Sequence, residues 1–170
     1  MPRIIVSPLK MIGEMAARHG AREMITLIAE DHNFHRPGII DPARHLSVMI
    51  NDIAFAGKEG LIAPQECHVA EIATFARAWD QASPLLIHCW MGVSRSPAAA
   101  LIAALAANPD LEDDGLVQAL RRASPQASPN SRLVAFGDAH LARDGRLISA
   151  VKAIGRGADY AGEAPFVLDF

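Results

Sequence analysis

Residues 86–98 read LIHCWMGVSRSPA, and this is the most informative stretch of the sequence. An apolar run ends at His88, a short segment containing Gly92 follows, and an alanine-rich run begins at Pro97. An apolar run ending at a glycine-containing turn is typical of a buried strand, and the alanine run is typical of a buried helix. The stretch therefore predicts a strand, a tight loop and a helix start, with Cys89 and Arg95 at the two ends of the loop.

This arrangement suits the transfer of a phosphoryl group onto sulfur. A thiolate is the reactive form of cysteine, and the unpaired amides and dipole at a helix N-terminus stabilise negative charge on Cys89. The amides of the five intervening residues can curl around a tetrahedral anion as a backbone nest. These predicted phosphate-binding residues are Trp90, Met91, Gly92, Val93 and Ser94. Arg95 adds a planar fork that can bond two phosphate oxygens.

Six residues carry a resemblance to a known family. His88, Cys89, Gly92, Ser94, Arg95 and Ser96 match HC-x-x-G-x-S-R-S. This pattern resembles the signature of the cysteine-dependent protein tyrosine phosphatase superfamily, and its serines are most similar to those of dual-specificity phosphatases. The resemblance implies that His88 orients the loop, that Ser96 helps the thiolate to leave, and that no cofactor or metal is needed. The alternative is that Cys89 is a buried small hydrophobe and Arg95 a surface residue, which requires six coincidences.

The resemblance also implies an aspartate, on a separate upstream loop, that protonates the leaving group. The candidates are Asp31, Asp41, Asp52 and Asp80. Asp52 follows the apolar run HLSVMIN and lies 37 residues before Cys89, which places it at the C-terminal end of a strand beside the phosphate loop. We expect Asp52 to be the acid, with Asp41 as the second choice. The structural alternative for Asp52 is a turn or helix-cap residue.

The remaining sequence predicts an α/β fold. Apolar or β-branched runs at 3–7, 23–29, 45–50 and 85–88 alternate with helical patterns, and after Arg95 the chain is helical almost throughout. We therefore predict one domain over residues 1–170, with three layers and a four- to five-stranded, mostly parallel sheet flanked by helices. The glycine-rich tail 155–170 ends in apolar residues and is either docked or flexible.

A supporting element follows the catalytic helices. Arg122 and the pair Pro129-Asn130 resemble the Arg and Pro-Asn element of dual-specificity phosphatases, although their spacing is longer here. Arg122 is interpreted as a brace for the phosphate loop, or else as a solvated charge at a helix end. Asn130 is predicted to cap the next helix.

Composition excludes several classes of function. A net charge of −3 provides no basic field for nucleic acid or anionic lipid, and no apolar stretch approaches the ~20 residues of a membrane helix. The N-terminus lacks a signal-like apolar region, which favours the cytoplasm. The two cysteines predict neither a disulfide nor a zinc site, and His32 and His35 are interpreted as loop residues. Cys67 is expected to be a buried helix cysteine, with redox protection of Cys89 as the alternative.

The loop sequence also indicates a substrate class. Trp90 and Met91 occupy its variable positions, and Trp90 either packs on the domain or forms a wall of the cleft. Neither is a lysine, whereas family members that act on polyphosphorylated inositol lipids often carry lysines there. We therefore expect a phosphorylated protein or small phosphomonoester as substrate, and phosphate, sulfate or vanadate as active-site ligands. The alternatives are an inositol phosphate, phosphoinositide or nucleotide phosphatase, and a catalytically silent phosphate-binding module.

Overall fold

A five-stranded sheet forms the centre of the molecule in the computed structural model, which describes residues 1–29 and 33–170. The strands are β1 (Arg3–Pro8), β2 (Glu23–Leu27), β3 (His45–Val48), β4 (Leu85–Cys89) and β5 (Phe166–Asp169). Their order across the sheet is β3-β2-β4-β1-β5, and the first four are parallel, whereas β5 runs antiparallel to β1. The C-terminal ends of β2, β3 and β4 therefore lie at one edge of the sheet, where open α/β sheets place their ligands.

Helices cover both faces of this sheet. They are α1 (Ile12–His19), α2 (Glu66–Ala78), α3 (Arg95–Ala107), α4 (Asp113–Ala123), α5 (Ser131–His140) and α6 (Arg146–Ile154). One face, which includes Ile5, packs on α1. The other face, which includes Val6 and Ile87, packs on α2 and α3, with α4–α6 completing the core. The predicted three-layer α/β architecture is thus confirmed, because strands buried on both faces need helices on each side.

Helix α3 is buried along almost its whole length. Its alanines let neighbouring elements approach closely, and a Cβ added at Gly137 of α5 would lie 2.6 Å from Ile102 Cγ1. The absence of a side chain at Gly137 therefore allows α5 to pack closely on α3, the helix that begins at Arg95. No helix among residues 1–29 and 33–170 is long and apolar enough to cross a membrane.

The tail contributes the fifth strand. Phe166 and Leu168 are buried against the core, and β5 pairs with β1 from Arg3↔Asp169 to Val6↔Phe166. Of the two states left open for residues 155–170, the last residues adopt the docked one. The sequence pattern alone did not predict this strand, because four residues after a glycine-rich segment carry little periodicity and their partner lies at the other end of the chain.

Candidate active site

The loop between β4 and α3 packs tightly against the end of β1. Gly92 has φ +75°, and a Cβ there would lie 3.1 Å from Pro8 N and 3.2 Å from Ser7 C. Only glycine combines this backbone conformation with such a close approach. The sharp turn brings Cys89, the last residue of β4, and Arg95, the first residue of α3, to the same concave surface.

The carbonyl groups of the loop are held by bonds from outside it. These bonds are Leu9 N to Trp90 O (3.0 Å), Ser128 N to Val93 O (2.8 Å) and Asn130 N to Ser94 O (3.1 Å). In a trans peptide the N–H points opposite to the C=O of the same unit. The amides that follow these carbonyls, those of Met91, Ser94 and Arg95, therefore point into the loop. The result is an anion-binding nest at a helix N-terminus.

The Cys89 sulfur lies at the base of this nest. Its side chain is 3% exposed, the Gly92 amide donates to Sγ at 3.2 Å, and Ser96 Oγ lies 3.1 Å from Sγ. An amide donor and a hydroxyl donor both stabilise a sulfur that carries negative charge. Ser96 thus lies within hydrogen-bond distance of the Cys89 sulfur.

Arg95 brings an unused hydrogen-bond donor to the site. Its Nη1 donates to Ile50 O at 2.9 Å, and the side chain is 9% exposed. Within the described part of the chain, Arg95 Nε is buried without a hydrogen-bond partner. A buried donor of a guanidinium is costly to leave unpaired, so this Nε marks the place where an oxyanion would bind.

The Asp52 carboxyl reaches the same loop from the segment after β3. Its Oδ1 accepts from Ser94 Oγ at 2.7 Å and from Asn130 Nδ2 at 3.0 Å. Asn130 also donates to Ile53 O at 3.1 Å. Both of these bonds to the carboxyl are to Oδ1.

The other aspartates have different surroundings. Asp41 caps a 3-10 helix by accepting from Ala43 N at 2.8 Å, and Asp80 accepts from Ala82 N at 2.9 Å. Asp31 and the predicted loop residue His32 lie outside the described residues. Among the candidates that the structure describes, it brings Asp52 to the phosphate loop.

A cavity of about 270 Å³ opens over these groups. It is lined by Asp52, Cys89, Trp90, Met91, Val93, Ser94 and Arg95. Trp90 is 49% exposed and Met91 41% exposed. Of the two positions considered for Trp90, the structure therefore gives the wall of the cleft.

A polar chain lies behind the loop, on the face of the sheet that α1 covers. His88 is fully buried, its Nδ1 lies 3.4 Å from Cys89 O, and its Nε2 lies 2.7 Å from Thr26 Oγ1. Thr26 Oγ1 also lies 2.8 Å from His45 Nε2. Burial lowers the pKa of His88 to about 4, and burial together with the charge of Arg36 lowers the pKa of His45.

The sequence did not indicate two residues of this hydrogen-bond chain, Thr26 and His45. The signal available for Thr26 was a single hydroxyl within the apolar strand EMITL. A buried hydroxyl needs a hydrogen-bond partner, but the sequence does not indicate which one.

Arg121, and not Arg122, binds the turn that follows α4, and within the described part of the chain neither side chain donates to the phosphate loop. Arg122 is exposed, whereas Arg121 donates to Pro125 O at 2.6 Å, to Ala127 O at 3.0 Å and to Gly155 O at 2.9 Å. Of the two interpretations of Arg122, the loop brace is therefore wrong, and the solvated charge at a helix end is the one observed. One residue along a helix rotates the side chain by about 100°, which moves Arg121 towards the turn and Arg122 towards solvent. Asn130 caps α5 as predicted, accepting from Arg132 N and Leu133 N.

The second cysteine lies away from the core. Cys67 is an exposed free thiol on α2, so the expectation of a buried helix cysteine is wrong, and Cys89 is also a free thiol. His35 is exposed. Within residues 1–29 and 33–170 no group of three or more His, Cys, Asp or Glu side chains is arranged to hold a metal ion.

Comparison with known proteins identifies the fold. No protein-family model matches the chain, and no curated protein matches it. Solved structures do match it. Human DUSP28 is 21% identical, covers 81% of this chain and 93% of its own, and has a TM-score of 0.60. DUSP15 is 14% identical over 96% of each chain with a TM-score of 0.64. The Yvh1 phosphatase domain from Chaetomium thermophilum is 19% identical, covering 86% of this chain and 99% of its own, with a TM-score of 0.55. This chain therefore has the fold of the cysteine-dependent protein tyrosine phosphatases, in the form found in dual-specificity phosphatases.

Proposed function

We propose that this chain hydrolyses phosphate monoesters in two steps through a phosphocysteine at Cys89. The observation that carries the proposal is the buried Nε of Arg95, which lacks a partner among the described residues and belongs to a side chain that lines the same cavity as Cys89. A nucleophile and an unsatisfied cationic donor in one small cavity suit a ligand that is both an anion and an electrophile. A phosphate monoester is such a ligand.

In the first step the Cys89 thiolate attacks phosphorus while the bond from phosphorus to the ester oxygen breaks. The Asp52 carboxyl gives its proton to that oxygen, so the alcohol or phenol leaves neutral. Arg95 and the inward amides bind the equatorial oxygens, where the transition state carries its charge. The product is a phosphocysteine and an ionised Asp52.

In the second step Asp52 takes a proton from water, and the resulting nucleophile attacks phosphorus. The sulfur–phosphorus bond breaks, and sulfur leaves as a thiolate. The Ser96 hydroxyl, 3.1 Å from Sγ, can donate to that thiolate and stabilise it. Inorganic phosphate is released, and both the protonated Asp52 and the free thiolate are restored.

The lining of the cavity favours a substrate with one phosphate. Among the described residues that line the cavity, Arg95 is the one with a cationic side chain, and Trp90, Met91 and Val93 supply apolar surface. A second phosphate would lack a cationic partner in this lining. We therefore propose a monophosphate on a tyrosine, serine or threonine side chain, or on a comparable small molecule.

The test measures turnover of p-nitrophenyl phosphate by the purified chain and by matched variants. Cys89→Ser should abolish turnover while keeping vanadate binding, because the nest and Arg95 remain. Cys67→Ser removes the other thiol and should keep wild-type turnover. Rapid quenching with a ³²P-labelled substrate should trap label on the wild-type protein and none on Cys89→Ser. Turnover by Cys89→Ser at the wild-type rate would refute the proposal.

The role of Asp52 is tested with leaving groups of different basicity. Asp52→Asn should slow an alkyl phosphate by about 10²-fold or more and p-nitrophenyl phosphate much less, since a good leaving group needs little protonation. Asp41→Asn, which alters a carboxyl outside the site, should behave as wild type. An effect of Asp41→Asn in place of Asp52→Asn would show that the acid lies on the other loop.

A further inference from the structure

The three side chains behind the phosphate loop form a hydrogen-bond chain with a fixed direction. A neutral imidazole has one N–H donor and one acceptor nitrogen, and a hydroxyl has a single hydrogen to donate. His88 is neutral near pH 7, because burial lowers its pKa to about 4. The proton positions along the chain therefore follow from the partners at its two ends.

The first constraint is at the loop. His88 Nδ1 lies 3.4 Å from Cys89 O, a long contact with an atom that can only accept. His88 Nδ1 must therefore carry the ring hydrogen, since a bare nitrogen there would oppose the carbonyl oxygen with its lone pair. It follows that His88 Nε2 is an acceptor, and that Thr26 Oγ1, at 2.7 Å, donates to it.

The second constraint is at the hydroxyl. Thr26 has given its one hydrogen to His88, so Oγ1 can only accept from His45 Nε2 at 2.8 Å. His45 must therefore carry a hydrogen on Nε2. A protonated His45 would donate the same bond, so the direction of the chain does not depend on its charge.

The aromatic ring of Phe34 keeps both imidazoles in place. Its centroid lies 5.2 Å from that of His88 and 6.0 Å from that of His45, in edge-on contacts with interplanar angles of 74° and 79°. Thr26 itself is 2% exposed. Water therefore has little access to Thr26 and cannot readily replace its hydroxyl as the donor to His88.

We propose that Thr26 and His45 are positioning residues, which fix the tautomer of His88. Through His88 they fix the orientation of the peptide unit that links Cys89 to Trp90. The His88 N–H holds the Cys89 carbonyl away from the nest, so the Trp90 amide of the same peptide unit points the opposite way. The chain thereby stabilises the loop shape in which amide dipoles favour a thiolate. The effect on turnover rests on the proposed function, whereas the effect on the thiol does not.

The test measures alkylation of Cys89 by iodoacetate across a pH series, in the Cys67→Ser background. Thr26→Val keeps the volume and removes the hydroxyl, and Thr26→Ser restores it. His45→Leu removes the donor, and His45→Gln replaces it with an amide N–H. Ser47→Val alters the exposed residue of β3 that pairs with Thr26 and serves as the control. Thermal melts establish that each variant folds.

We expect Thr26→Val and His45→Leu to move the midpoint of alkylation upward by about one pH unit, which corresponds to about tenfold slower alkylation on the acid side. Thr26→Ser, His45→Gln and Ser47→Val should keep the wild-type midpoint. A wild-type midpoint in Thr26→Val overturns the proposal, and so does an equal shift in Thr26→Ser, which would indicate packing alone. If Thr26→Val does not fold, the two His45 variants provide the same contrast.

A second measurement observes the tautomer directly. Long-range ¹H–¹⁵N spectra of the wild-type protein should show the His88 ring with its hydrogen on Nδ1. A hydrogen on Nε2 would overturn the proposal. Both measurements are independent of turnover. If the protein shows the predicted tautomer and midpoints but no hydrolysis, the proposed function is refuted and the positioning role of Thr26 and His45 is not.

Discussion

Acidification should destabilise this protein through His88. The imidazole is fully buried beneath the phosphate loop, and burial lowers its pKa from 6.5 to about 4. Between these two values the unfolded chain binds a proton that the folded chain does not. The free energy of unfolding therefore decreases as the pH falls from 6.5 to 4, and the stabilisation is fully present above pH 6.5.

The size of this effect follows from the two pKa values. Each unit of difference corresponds to about 1.4 kcal/mol, so the full contribution is about 3 kcal/mol, lost by about pH 4. At pH 5 the folded ring is still mostly neutral and the unfolded ring mostly charged, which gives a loss of about 2 kcal/mol relative to about pH 8. A loss of this size is a large fraction of the stability of an ordinary domain.

Urea unfolding at four pH values from about 8 down to about 5 measures the effect. Over this range the wild-type free energy of unfolding should decrease by about 2 kcal/mol more than that of His88→Asn. The comparison is needed because the pKa values of His19, His45 and His68 are also lowered, mainly by burial, and these three histidines add a slope of the same sign. His35→Asn, at an exposed position, should follow the wild type.

Equal slopes for the wild type and His88→Asn would refute this reasoning. An NMR titration of the His88 ring provides a check without any substitution. A midpoint near the ordinary histidine value of 6.5 would show that the ring is solvated and would contradict the burial on which the prediction depends.

Three further substitutions test the architecture around the site. Gly92→Ala should lower turnover about tenfold or more, because a non-glycine residue at a φ of +75° costs about 1–2 kcal/mol and its Cβ would meet the end of β1. Gly115→Ala, with open space around the added Cβ, should leave turnover unchanged. Equal rates in the two variants would contradict the close packing at Gly92. Arg121→Ala should reduce the free energy of unfolding by about 2 kcal/mol, because several carbonyls lose their donor. Arg122→Ala should change it by less than about 0.5 kcal/mol. A larger loss for Arg122→Ala than for Arg121→Ala in urea melts would contradict this assignment. Leu168→Ala should cost about 2 kcal/mol or more, since its side chain is 1% exposed, and a neutral result would show that β5 adds nothing to the core.

The centre of the site could be predicted from the sequence, because its residues are close together in the chain. The Cys89 thiol, the five loop residues and the Arg95 guanidinium lie within seven consecutive positions. A buried strand, a glycine with positive φ and an alanine-rich helix bring these groups together with little help from the rest of the chain. The four parallel strands were also predicted from their apolar runs. Three of them, β1, β2 and β4, are buried almost throughout, and a strand buried on both faces has a strong compositional signal. Asp52 was predicted from its place after such a run.

Features that depend on distant partners or on helix rotation could be read only from the folded protein. Asn130 was predicted to be a cap, and the fold also brings its amide to the Asp52 carboxyl, 78 residues away. Arg121, rather than Arg122, binds the turn after α4. Packing sets the rotation of α4 about its axis, so the sequence did not show which of two adjacent arginines faces the turn. Thr26 and His45 meet His88 only because β2 lies between β3 and β4. Hydrogen bonds between neighbouring strands join residues far apart in the chain, so no local pattern indicates them, and the folded sheet decides which polar groups meet.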